Sequence, residues 1–217
     1  MSAECPKPGE QATLADRIGR IERLEVELLR ETAELFVKNE VITNSDFFVL
    51  GAVRRTISQS KGFRDLITAK NFPCAAAILR MQIDTAMRVN ALVLVEEPDT
   101  FCQAILDGQR FNTFKDTAGS RMTDAYLRKK LSEKYPIINP VYEQTSDFIH
   151  LSGRHFCDAI FVVNDNMPEV KIVISAADPP HPDDLCFEIV DMFFDISEIT
   201  AILLLGYFIA RSGSVCA

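Results

Sequence analysis

From Pro73 to Val95 the chain reads PCAAAILRMQIDTAMRVNALVLV, apolar on nearly every side. A helix that is hydrophobic all round must be covered by others, so this stretch predicts the central helix of a bundle. Pro73 suits its first turn, where a missing N–H costs nothing. Charge interrupts the run only at Arg80, Asp84 and Arg88, in steps of four. Such steps drift by only about 40° on a helix, so the trio shares one narrow stripe. Charges on a buried helix are costly unless paired. Asp84 lies one turn from each arginine, which permits an ion-pair ladder along the helix. The alternative is that one arginine keeps spare donors for an anion.

A second stretch, PVYEQTSDFIHLSGRHFC from Pro140 to Cys157, repeats the spacing with Tyr142, Ser146 and His150. Asn139-Pro140 is a start signal for a helix running to about Ile160. The two stretches read as facing helices that share a polar seam.

The other segments fit the same bundle. Leu14, Ile18, Ile21, Leu24 or Leu28, and Leu35 follow helical steps between about Glu10 and Asn39. Asn44-Ser45-Asp46 offers caps for a second helix reaching about Lys70. Arg54, Arg55, Lys61 and Arg64 give that helix a cationic side. A short helix follows Pro98, residues 108–121 read as a loop or lid, and DAYLRKKLSEKY carries the densest basic cluster. The alternation IFVV–NDNMPE–VKIVIS predicts a β-hairpin at about 160–175, lying on the bundle. A last helix starts near Pro182, acidic early and apolar late. The expected class is mainly α: residues 1–9 as a flexible lead-in, then one helical-bundle domain over 10–217 with a small β-hairpin appended before the C-terminal helix.

Charge and motifs narrow the chemistry. A net charge of −8 argues against a protein that coats nucleic acid non-specifically, although it leaves room for a local basic face. The six cysteines include no C-x-x-C pair, and the opening MSAECPKPGE lacks the features of a signal peptide. Reduced thiols and a cytoplasmic location are the expectation. The run Ile199–Ala210 is well short of the ~20 residues of a membrane span, so no membrane partner is expected. His150 and His155 diverge by about 140° on a helix and cannot share a metal, so no metal or other cofactor is expected. A serine hydrolase is disfavoured: Ser146 sits in no G-x-S-x-G turn. No glycine-rich phosphate loop occurs either.

What remains is a histidine, a tyrosine and arginines between helices. Such a set suits metal-free RNA cleavage, with His150 as acid/base group, Asp84 orienting it, and Arg80 and Arg88 steadying phosphate. Tyr142, Ser146, Ser152 and Arg154 are candidate binding residues, Arg154 as a bidentate phosphate holder. The competing account is an inter-helix hydrogen-bond network without catalysis.

The R-x3-D-x3-R helix together with Y-x3-S-x3-H-x-S (Tyr142, Ser146, His150, Ser152) resembles a group of bacterial all-helical proteins related in outline to the HEPN superfamily. The likeness covers roughly Phe47 to Tyr207. It implies a helical bundle, frequently dimeric, sometimes a ribonuclease in toxin–antitoxin or phage-defence systems with RNA or an antitoxin as partner. One departure concerns activity: HEPN ribonucleases place the arginine before the histidine, whereas Arg154 follows His150. A non-catalytic homodimer, joined through its apolar C-terminal helix, and a binder of a small anion between the seam helices are the alternative expectations. Homodimerisation predicts a light-scattering mass near twice 24.3 kDa, and a strict monomer would refute it.

Overall fold

The computed structural model describes residues 12–38, 41–149, 160–162, 170–172, 174–175 and 183–214. Seven α-helices lie among them: α1 (Leu14–Phe36), α2 (Asn44–Thr68), α3 (Phe72–Asn90), α4 (Pro98–Leu106), α5 (Asp124–Lys134), α6 (Ile138–Ser146) and α7 (Asp183–Ser214). The proposed lead-in at 1–9 lies outside the described residues.

Local chemistry sets most helix starts. Thr13 and Thr43 each form a reciprocal capping box, with Asp16 and Asp46 respectively. Asn71 caps α3 by accepting from the Cys74 N–H at 3.3 Å, with proline in the first turn. Thr123 caps α5 through the Tyr126 N–H at 3.3 Å. The end of α2 turns through Lys70 at φ +57°, the left-handed conformation common just after a helix.

α3 is the axle of the bundle, packing on α2, α5, α6 and α7. Ala75, Ala76, Leu79, Ile83 and Ala86 are all fully buried, and the three alanines let neighbouring backbones approach closely. On its other sides α7 packs against α1 and α2. Phe63 of α2 and Phe193 of α7 stack with centroids 3.9 Å apart and planes 9° from parallel. At the other end of α7, Phe208 meets Phe36 of α1 edge-on at 6.2 Å. The acidic early part of α7 finds its partners on α1: Asp191 pairs with Arg17, and Arg20 lies 4.0 Å over the Phe194 ring.

The start of α2 ties three helices together. The Asp46 carboxylate is fully buried, pairs with Arg211 of α7 at 2.9 Å and accepts from the Tyr207 hydroxyl at 3.0 Å. Asp99 of α4 accepts from the Ser45 N–H at 3.0 Å, and that bond holds its carboxyl below the usual carboxylate range. An acid at a helix N-terminus also complements the partial positive charge there.

Several expectations need correction. An appended β-hairpin is not part of this architecture. Among the described residues, Ile160–Val162 and Val170–Ile172 pair antiparallel over three residues each, with Phe161 opposite Lys171, and neither strand packs substantially on a helix. A two-stranded pair that short cannot act as a layer, so the class is a helical bundle alone. The helix expected from Pro140 to about Ile160 stops at Ser146, where Thr145 and Ser146 donate back to the Val141 and Tyr142 carbonyls at 2.7 and 2.6 Å. The same bond from Thr85 and Thr200 leaves α3 and α7 unbroken, so it does not by itself end a helix.

Residues 108–121 form a loop with one 3-10 turn at Phe111–Thr113. The Asp116 carboxylate accepts from the Ala118 and Ser120 N–H groups at 3.0 and 2.7 Å and from the Tyr126 hydroxyl, closing the loop against α5. Finally, α7 is unbroken, and over Cys186–Ser212 it is by length and composition apolar enough to cross a membrane. The length argument against a span therefore falls. What places this helix within the bundle is the complete burial of Val190, Phe193, Ile196, Leu204 and Phe208.

Truncating Phe63 to alanine removes the ring stacked on α7 and should cost about 3–5 kcal/mol. A urea denaturation midpoint equal to that of the unsubstituted protein would show that this contact is dispensable.

Candidate functional site

The seam forms where α3 packs against α6. From α3 come Arg80, Met81 and Asp84, and from α6 come Tyr142 and Ser146. With Arg55 of α2 and Ile149 just after α6, they line a cavity of about 250 Å³. Helical phase explains the set. Residues 80 and 84 share a face, as do 142 and 146, and the packing of α3 on α6 brings the two faces together.

Arg80 does not complete an ion-pair ladder. Its guanidinium carbon sits 3.6 Å from the centroid of the Tyr142 ring, a cation–π contact. Arg128 of α5 approaches the same ring at 4.6 Å, and its Nη1 lies 3.7 Å from Glu143. Asp84 is held instead by Arg88, at 3.2 Å. Arg88 also reaches Asp124 at the start of α5, at 2.6 Å, and covers the Phe111 ring at 4.6 Å. These charges are only partly buried: the Asp84 side chain is 32% exposed and that of Arg88 23%. The cost expected for charge on a wholly enclosed helix is correspondingly reduced.

Arg55 joins the cavity from the neighbouring helix. Its Nε donates to the Thr85 hydroxyl at 3.0 Å, and that hydroxyl donates to the Met81 carbonyl at 3.0 Å. Behind it, Gln82 donates to Thr56 at 3.4 Å, and Gln59 lies within 3.2 Å of Thr85. These four side chains form a buried polar layer between α2 and α3. Sequence reasoning passed over both Arg55 as a site residue and this layer. Its signal was present: Gln82 and Thr85 interrupt the apolar run of α3, and Thr56 and Gln59 sit one turn apart on α2.

The electrostatic balance follows. Neither Arg55 nor Arg80 pairs with a carboxylate among the described residues, while the one acid in the cavity wall is already engaged by Arg88. Two guanidinium groups thus border a small space with a mixed polar and apolar wall, an arrangement suited to phosphate or carboxylate. The Ser146 hydroxyl proton is committed to the Tyr142 carbonyl, so it borders the space as an acceptor. Elsewhere, burial, and secondarily the charge of Asp99, pushes the Cys102 thiol up to about 12, which leaves it without thiolate reactivity near neutrality.

Of the expected site residues, the structure brings Arg80, Asp84, Tyr142 and Ser146 together and sets Arg88 at the edge, facing a second cavity. His150, Ser152 and Arg154 lie outside the described residues. The fold's chemistry stands without a reference protein: comparison with family models, curated proteins and solved structures gives no match.

A double-mutant cycle with Arg80→Gln and Tyr142→Leu should give a coupling energy of about 0.5–1 kcal/mol in unfolding experiments, the usual strength of a partly exposed cation–π pair. Strictly additive effects would mean that the stacking contributes nothing.

Proposed function

We propose that this chain binds phosphate at the α3–α6 seam and that its physiological ligand is RNA. The observation that carries the reading is the meeting of Arg55 and Arg80 at a cavity whose only described carboxylate is occupied by Arg88. Arginine is suited to this role because its planar donor fork matches phosphate oxygens and its face stacks on aromatic rings. Arg128, beside the same tyrosine, extends the positive character toward Lys129 and Lys130 of α5. The net charge of −8 is no obstacle, since steering depends on local potential rather than the total.

The likeness to HEPN proteins supports RNA as the source of the phosphate and a cytoplasmic role in defence or toxin biology. If the protein cleaves RNA, His150 is the acid/base group: it removes the 2′-hydroxyl proton as that oxygen bonds to phosphorus, arginine steadies the added negative charge, and the P–O5′ bond breaks with the proton passing to the departing 5′-oxygen, leaving a 2′,3′-cyclic phosphate. A second reading, a small free anion held between the helices, is favoured by the volume of about 250 Å³, below the usual range for drug-sized ligands.

Fluorescence anisotropy with labelled single-stranded RNA tests the first reading. Arg80→Gln should weaken binding about tenfold, the loss of one charged phosphate contact. Unchanged affinity in that variant would refute the assignment. Incubation of the unsubstituted protein and His150→Ala with mixed RNA, followed by gel analysis, tests catalysis separately; identical fragment patterns would leave binding alone.

A further inference from the structure

Arg88 stands between two cavities. On one side it holds Asp84 of the seam; on the other it lines an open cavity of about 640 Å³ with Arg110, Phe111, Asn112, Thr123 and Asp124. Asp124 is paired with Arg88, which it shares with Asp84 of the first cavity. Arg110 is exposed and pairs with no carboxylate among the described residues. Asn112 and Thr123 add an amide and a hydroxyl, both exposed.

The two cavities lie along one track. Arg80 and Arg88 share a stripe of α3, and eight residues of helix separate them by about 12 Å along its axis. α5 connects the same places: Asp124 borders the second cavity, and Arg128, one turn on, reaches Tyr142 in the first. The track carries five arginines (55, 80, 88, 110 and 128) against three carboxylates (84, 124 and 143) in a chain whose net charge is −8. An aromatic ring marks each end, Tyr142 and Phe111, each with a guanidinium within 4.6 Å.

We propose that the cavity at Arg88 and Arg110 is a second phosphate subsite, filled by another phosphate of the same single strand whose backbone enters the seam. This rests on the reading of the seam as a phosphate site. Arg80 and Arg110 line different cavities, so a strand gains from both and a mononucleotide in the seam gains from Arg80 alone. Linking the two contacts raises affinity through effective concentration without any further contact. Bases of such a strand can stack on the outer faces of the guanidinium groups.

The test uses the full chain, an oligouridylate of about twelve nucleotides, long enough for a typical single-strand site, and uridine monophosphate as the single-phosphate probe. Binding of both is measured against salt concentration. Arg110→Gln should reduce the magnitude of the logarithmic salt slope for the oligonucleotide by about 0.7, one phosphate contact, and weaken it about tenfold. Its binding of uridine monophosphate should be unchanged. Arg23→Gln on α1 controls for removal of a charge elsewhere and should leave both probes unaffected. Oligonucleotide binding by Arg110→Gln equal to that of the unsubstituted protein, while Arg80→Gln weakens both probes, would overturn the second subsite and spare the seam. Equal losses in Arg110→Gln and Arg23→Gln would likewise overturn it. If Arg80→Gln changes neither probe, the seam reading fails and this one with it.

Discussion

The closeness of α3 to its neighbours is the constraint on which the rest depends. Its buried alanines, Ala75, Ala76 and Ala86, remove the bulk that would otherwise hold α2, α6 and α7 away. Close approach then lets Phe63 and Phe193 stack across the adjoining α2–α7 contact. The seam is a by-product of the same geometry. Once one side of α3 is sealed by apolar residues, its remaining polar stripe meets α6 and α5 at the margin, where charge is half hydrated and arginines are tolerated.

A second organising centre lies far from the seam. The buried Asp46 serves its own helix as part of a capping box and serves α7 by receiving Arg211 and Tyr207. A buried carboxylate needs this number of partners, because desolvation without them exceeds what a single ion pair returns. Asp99 completes the arrangement from α4. The result fixes the far end of α7 relative to α2, while stacked rings and the Arg17–Asp191 pair align its beginning. The long C-terminal helix that packs on α3 is thus held at both of its ends.

The ion pairs of the seam are shared unevenly. Arg88 takes two carboxylates, Asp84 and Asp124, and covers Phe111 as well. That concentration of acid on one arginine leaves Arg80 and Arg55 to an aromatic ring and a threonine hydroxyl. Neither partner neutralises charge. The cavity wall thus holds two guanidinium groups and one carboxylate in a chain that is acidic as a whole.

The amino-acid order alone determined where most helices begin, through Thr-x-x-Asp boxes, Asn71 before Pro73 and Thr123 before α5, because caps act within four residues. It also determined that residues 80, 84 and 88 share a stripe and that 142 and 146 share another, since helical phase is a local property. It misled in two places: α6 ends at Ser146, short of the helix expected to about Ile160, and alternation at 160–175 suggested a layer that the bundle does not use. Only the tertiary structure decided that Asp84 turns to Arg88, that Arg80 lies on Tyr142, and that Arg55 enters from α2. Spacing along one helix makes both arginines equally near to Asp84; the choice is made by Tyr142 and Asp124, whose positions depend on how separate helices pack.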